Sequence, residues 1–146
     1  MLQAATRLEK ILNETPNKLF AFTDEQAGVR PAPGKWSKKE IMGHLIDSAS
    51  NNHQRFVRMQ IENGLQLPQY RQNEWVSVQQ YSSRNWIDIV KFWMIYNMHI
   101  LHIFKTVDES KLGNTADFPE YGTQTLQFLI NDYVDHMEHH LRQALR

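Results

Sequence analysis

Ser37-Lys-Lys-Glu40-Ile-Met-Gly-His44-Leu-Ile-Asp47-Ser48 opens the segment whose reading decides the fold. Serine followed three residues later by glutamate is a capping-box pattern, in which the hydroxyl and the carboxylate each satisfy a free N–H in the first turn of a helix. The helix is expected to continue to Asn63, with Gly64 just past its end. At ~27 residues it is about 40 Å long. The segment that follows, Leu65 to Tyr81, is long enough to run back that whole distance, because extended chain covers ~3.3 Å per residue. It can therefore return the chain to the starting end, so that the next helix runs parallel to this one. Long crossovers of this kind are an established variant of the four-helix bundle.

Three more helical stretches surround this one, and there is almost no strand signal. The first runs from about Leu2 to Asn13, with Leu8, Ile11 and Leu12 on one side, and stops before Pro16. The third begins after Ser82-Ser83 and carries Trp86, Ile89, Val90, Trp93, Ile100, Phe104 and Val107 at helical spacing. The fourth starts near Thr123 and repeats Leu126, Leu129, Ile130, Tyr133, Met137, Leu141 and Ala144. No internal repeat, low-complexity tract or linker divides the chain, so residues 1–146 read as a single all-α domain.

Composition narrows the function. Sixteen basic residues balance 16 acidic ones, and no basic block stands out, which argues against a nucleic-acid partner. The absence of cysteine removes disulfides, thiolate ligands and a cysteine nucleophile, and leaves histidine and carboxylate for metal chemistry. The richest apolar stretch, Phe92 to Phe104, is too short to span a bilayer and is broken by Asn97, His99 and His102. The N-terminus has no apolar leader region, so a cytoplasmic protein without a membrane partner is the expectation.

His44 lies two turns after the cap, on the face of Ile41, Leu45 and Ser48. The middle of that helix is polar where a simple bundle wants leucine: Asp47, Ser48, Asn51, Asn52 and Arg55. Either these residues line a site, or the helix faces solvent there and His44 bonds a carbonyl. His136 and His140 are four apart in Asp135-His-Met-Glu-His-His140, on the inward face of Tyr133, Met137 and Ala144, while His139 turns about 100° away. A metal ion held by His44, His136 and His140, with a coordination position left open, satisfies all three imidazoles together. His53, His99 and His102 fall on the order of 10 Å further along the bundle and are expected to be structural or superficial. No Glu-x-x-His pair, H-E-x-x-H, G-x-S-x-G, P-loop or Rossmann glycine pattern is present.

Two segments carry a resemblance. Pro33-Gly-Lys-Trp-Ser-Lys-Lys-Glu-Ile-Met-Gly-His-Leu-Ile-Asp-Ser48 resembles the Trp-Ser/Thr, Glu, His-Leu and Asp/Ser segment of the DinB-like family, and Val134-Asp-His-Met-Glu-His-His-Leu-Arg-Gln143 resembles that family's terminal His-x-x-His-His-x-x-Gln segment. The similarity covers essentially the whole chain. A glycine expected after Arg142 is missing, a departure that leaves the histidines untouched. The resemblance implies a four-helix bundle of up-down-down-up order and a divalent metal, nickel or zinc, on His44, His136 and His140. It also implies relatives that include bacillithiol- and mycothiol-dependent transferases and isomerases.

Together these readings give an expected metal-dependent enzyme, a thiol-dependent transferase or a hydrolase, acting on a small-molecule electrophile, with a low-molecular-weight thiol as a second cofactor if transfer is the reaction. Asp47, Asn51, Arg55, Trp86 and Gln143 are the candidate substrate-contacting or ligand-orienting residues; Arg55 suits an anionic group. The rival is a non-catalytic metal-binding or interaction bundle, which a fourth protein ligand such as Asp47 or Glu138 would favour. The aromatic stripe of Trp86, Trp93, Tyr96 and Phe104 is read as core, with part of it available as a homodimer face. Asp117 and Tyr121 are expected at the end of the bundle away from the histidines.

Overall fold

The computed structural model describes residues 2–146. In chain order, α1 (Gln3–Glu14) is followed by two short helices, α2 (Pro16–Phe20) and α3 (Asp24–Gly28), and then by α4 (Lys38–Ile61). A two-residue strand β1 (Leu65–Gln66), helix α5 (Gln72–Gln79) and one 3₁₀ turn at Tyr81–Ser83 lead into α6 (Trp86–Thr106). A hairpin, β2 (Thr115–Phe118) and β3 (Gly122–Thr125), precedes α7 (Leu126–Ala144).

The long helices start where side chains take over the orphan N–H groups. The Ser37 hydroxyl accepts from the Glu40 N–H while the Glu40 carboxylate accepts from the Ser37 N–H, so the expected capping box forms. The Asn85 side chain caps α6 through the Asp88 N–H, and the Thr125 hydroxyl caps α7 through the Phe128 N–H. Helix α4 ends two residues earlier than expected, and Gly64 turns the chain with φ of 76°.

Pairs of contacting residues give the direction of each helix. Between α4 and α6 the partners rise together: His53 with Tyr96, then Phe56 with Phe104, then Gln60 with the Asp108 N–H just past α6. These two helices are parallel, joined by the long crossover. Between α4 and α7 the partners run in opposite senses, Lys38 with Ala144, His44 with His136, and Phe56 with Tyr133. Helix α1 is antiparallel to α6, because Glu9 meets Lys105 whereas Leu19, further along the chain, meets Trp86. The bundle is therefore up-down-down-up. The starts of α4 and α6 and the end of α7 share one end of it.

The core is aromatic and aliphatic. Trp86, Trp93, Phe56 and Phe104 are fully or almost fully buried, and Phe56 meets Phe104 and Tyr133 edge-on at 5.2 and 5.6 Å between ring centres. Buried Tyr133 donates its hydroxyl to Asn97 Oδ1 at 2.6 Å, while Trp93 Nε1 is buried without a partner. Most of the aromatic stripe is thus core, while the outward face of α6 carries Phe92, Ile95 and Met98. No helix among the described residues is long and apolar enough to cross a membrane.

The small sheet is the part that sequence patterning did not anticipate. Its order is β1-β2-β3, with Leu65 parallel to Ala116 and Thr115 antiparallel to Thr125. It ties the start of the crossover to the α6–α7 connection. Gln69 extends the tie by accepting from the Glu120 N–H at 2.7 Å. This swings the hairpin tip back along the bundle, so that Tyr121 shares a cavity with His136 instead of lying at the remote end. Asp117 stays on the exposed sheet, bonded to Gln66 and Thr123.

Candidate metal centre

At the shared end, α4 supplies His44 and α7 supplies His136 and His140, one turn apart. One ring nitrogen from each lies within 4.8 Å of the others, and His44 Nε2 is 2.9 Å from His136 Nε2. His44 is fully buried and the other two are half-buried. Burial holds the His44 imidazole down at about 3, and the adjacent His136 and His140 push the same way. His136 is held at about 4, again first by burial and then by its histidine neighbours, and His140 is lowered by burial against an upward pull from Gln143. All three rings are neutral near pH 7, the state in which an imidazole offers a lone pair.

Two neutral ring nitrogens facing each other across 2.9 Å are repulsive unless a proton or a cation lies between them. Ligands on bonds of about 2.0–2.1 Å, at angles between square and tetrahedral, stand about 2.9–3.3 Å apart. The donor set and the spacing therefore fit a divalent ion. His44 Nδ1, Asp47 Oδ2 and Trp93 Nε1 are buried without a hydrogen-bond partner; His44 Nδ1 is on the opposite side of the ring from the Nε2 that faces His136.

Surrounding groups fix the rings. His140 Nδ1 donates to Gln143 Oε1 at 2.9 Å, leaving Nε2 as the ligating atom, and Gln143 Nε2 donates in turn to His139 Nε2 at 3.1 Å. Trp36, at the mouth, sets its ring 5.0 Å from that of His44 and 6.3 Å from that of His140. Asp47 is buried, but its Oδ1 accepts from the Tyr81 hydroxyl and from Gln79 Nε2, each at 2.7 Å. Glu138 is engaged by Arg7, 2.8 Å away. Neither carboxylate joins the three histidines among the described residues.

Cavities reach the centre from two sides. One, of about 480 Å³, has His136, Ser48, Asn52, Arg55, Tyr70, Tyr121 and Asp132 in its wall. The other, of about 730 Å³, is bordered by His140, Trp36 and Gln143, with Lys35, Lys38 and Arg146 supplying charge.

Of the residues singled out in the sequence, His44, His136, His140 and Gln143 come together, Arg55 joins through the first cavity, and Asp47 braces α4 against the crossover. Asn51 does not join them: its side chain bonds the Asp47 carbonyl and lines a different depression beside Trp75. Trp86 does not either, because it is fully buried with Nε1 donating to the Leu19 carbonyl. It sits at the right level of the bundle but faces α2, and Trp36 is the tryptophan beside the histidines. Tyr70, Tyr121 and Asp132 were missed. Asp132 is one turn before His136 and so shares its face, a signal that was available; the two tyrosines arrive through irregular chain that carries no periodicity.

The known proteins that resemble this chain point the same way. The model of the DinB superfamily matches residues 3–144. A Bacillus mycoides protein, named provisionally as a metal-dependent hydrolase, is 23% identical over 135 residues, covering 91% of this chain and 76% of its own. Among solved structures, YfiT from Bacillus subtilis, described provisionally as a metal-dependent hydrolase with an unusual four-helix bundle topology, superposes with a TM-score of 0.85 at 18% identity, over 95% of this chain and 80% of that one. A mycothiol-dependent maleylpyruvate isomerase gives 0.76 at 11% identity, over 95% of this chain and 58% of the isomerase. With the parallel crossover of α4 and α6 in place and the family model matched from the first helix to the last, the chain belongs to the DinB superfamily.

Proposed function

We propose that this protein is a metal-dependent enzyme, a hydrolase or thiol-dependent transferase for a small electrophile, in which His44, His136 and His140 would hold one divalent cation, zinc or nickel, that would supply Lewis-acid activation of water or a thiol. The observation that carries the reading is the incomplete ligand set: three neutral imidazoles gather with no carboxylate among them, Glu138 being held by Arg7 and Asp47 turning Oδ1 to Tyr81 and Gln79. A structural zinc site is closed by four protein ligands, whereas a catalytic one keeps a position for water or substrate. Three uncharged ligands leave the full double charge on the ion, which makes a bound water or thiol easier to deprotonate. The names of the relatives support hydrolysis or a thiol-dependent reaction.

The chain's own residues then divide the work. Gln143 holds His140 in the tautomer that presents Nε2. Trp36 covers the histidines on the side of the larger cavity and keeps bulk water from the buried face of His44. The cavity beside His136 admits the electrophile. The test is turnover of zinc- and nickel-loaded protein with aryl esters in water, and with epoxides in the presence of a low-molecular-weight thiol. The reading expects activity that chelation abolishes and that His136→Ala lacks. Fully loaded protein inert across both panels, or activity indifferent to His136→Ala, would overturn it.

A further inference from the structure

Arg55 projects into the cavity beside His136 with contacts that use little of its hydrogen-bonding capacity. Its guanidinium is half-buried, and desolvation lowers its basicity below the ordinary arginine value against upward pulls from Tyr70, Tyr121 and Asp132. It nevertheless has no carboxylate within ion-pair distance among the described residues. Its hydrogen bonds are two long ones, to Asn52 Oδ1 and to the Pro68 carbonyl, both 3.3 Å. A guanidinium carries five N–H donors, so most of its capacity is unspent. Partly burying a guanidinium with most of its donors unpaired is costly unless something pairs with it.

The placement says what that use is. Side chains on a helix lean toward its N-terminus, and the N-terminus of α4 is the histidine end. Arg55 obeys this, reaching back to Asn52 and into the cavity whose wall includes His136. Its guanidinium carbon sits over the Phe118 ring, 4.9 Å from the centroid, and Nη2 donates to the Pro68 carbonyl. That leaves a planar, rigid fork in a cavity of about 480 Å³, with three other charged groups in the wall. Two are occupied: Arg71 binds Glu74 at 2.8 Å, and Glu120 accepts from Gln69. The third, Asp132, lies beyond ion-pair distance of Arg55; burial and the neighbouring Asp135 raise its carboxyl above the usual range, against a downward pull from Arg55.

We infer that Arg55 is the anchor for a substrate carboxylate, so that the electrophile is a small organic acid whose reactive centre points at His136. This rests on the metal-dependent reading for the identity of the reactive end, and on the Arg55 geometry alone for the anionic end. Bidentate pairing of guanidinium with carboxylate supplies both the attraction and the orientation.

The test separates the two. Protein labelled with ¹⁵N is titrated, metal-free and zinc-loaded, with ω-mercapto carboxylates from mercaptoacetate to mercaptohexanoate and with their neutral amides. The Arg55 Nε–H resonance is assigned by its disappearance in Arg55→Lys. The carboxylates are expected to shift that resonance saturably and the amides to leave it in place. Arg55→Gln and Arg55→Lys are expected to weaken carboxylate binding at least tenfold while zinc content stays unchanged, with circular dichroism confirming the fold. If the carboxylates leave the Arg55 resonance unmoved in both forms, or if Arg55→Gln binds them as tightly as the parent, the anchor is refuted even where zinc is bound. If zinc does not bind but the carboxylates still move Arg55, the anchor stands and the metal reading falls.

Discussion

Gly43→Ala sets a methyl group into an aromatic ring. A Cβ built at position 43 lies 2.2 Å from Tyr81 Cδ2, 2.3 Å from Cγ and 2.7 Å from Cε2. Carbon atoms rest about 3.5–4.0 Å apart, so the ring has to retreat by roughly 1.3 Å. Tyr81 is only 3% exposed, and its hydroxyl is tied to Asp47 Oδ1 at 2.7 Å. Retreat therefore strains the packing and draws the hydroxyl off a buried carboxylate. Alanine gains about 1 kcal/mol over glycine inside a helix. Against that stand about 1–3 kcal/mol for overpacking and about 1–3 kcal/mol for the buried acceptor left short of a donor. The balance is a loss of about 1–5 kcal/mol, which for a chain of this size lowers Tm by roughly 3 °C per kcal/mol. Thermal and urea unfolding followed by circular dichroism read it directly. The same substitution in a Tyr81→Ala background has no ring to displace and is expected to stabilise by about 1 kcal/mol. A neutral or stabilising Gly43→Ala in the parent, or an equal effect in both backgrounds, would refute the reasoning.

Three other outcomes follow from the same contacts. Phe56→Ala removes a fully buried ring between Phe104 and Tyr133 and is expected to cost about 3–5 kcal/mol in urea denaturation. Gln143→Ala frees the His140 tautomer and is expected to weaken zinc affinity about 10- to 100-fold by competition titration, without a comparable change in Tm. The carboxyl of Asp47 is raised, chiefly by burial, so the native state holds its proton to higher pH than the unfolded chain. Its contribution to stability is therefore most favourable at low pH and declines as pH rises through the native value. Asp47→Asn is expected to flatten that part of the stability–pH curve; an unchanged slope would show that the burial argument is wrong.

Much of this architecture is legible in the residues themselves, for identifiable reasons. Ser37 and Glu40 announce the start of α4 because a capping box leaves little ambiguity, and the 3.6-residue recurrence in Trp86–Phe104 and Leu126–Ala144 is long enough to outweigh local exceptions. The length of the crossover permits α6 to run parallel to α4 but does not force it. Position along a helix axis is thus readable, but the direction a side chain faces is not. Trp86 is at the level of the histidines yet turned toward Leu19, and Asn51 is one residue from the polar face that matters. The hairpin escaped for a different cause. Thr115–Phe118 alternates only over four residues, and its parallel partner, Leu65–Gln66, is some 50 residues away, so no local window contains the pairing that moves Tyr121 toward His136. Trp36 and Tyr70 lie on irregular segments whose place is set entirely by packing.

The central claim is that imidazoles from α4 and α7 meet on one cation. Elemental analysis of untagged, purified protein measures it most directly, with His44→Ala and His140→Ala analysed alongside and their folding checked by circular dichroism. The account predicts about one zinc or nickel per chain in the parent and its near-complete loss from both variants after dialysis. Metal content unchanged in both variants would contradict it.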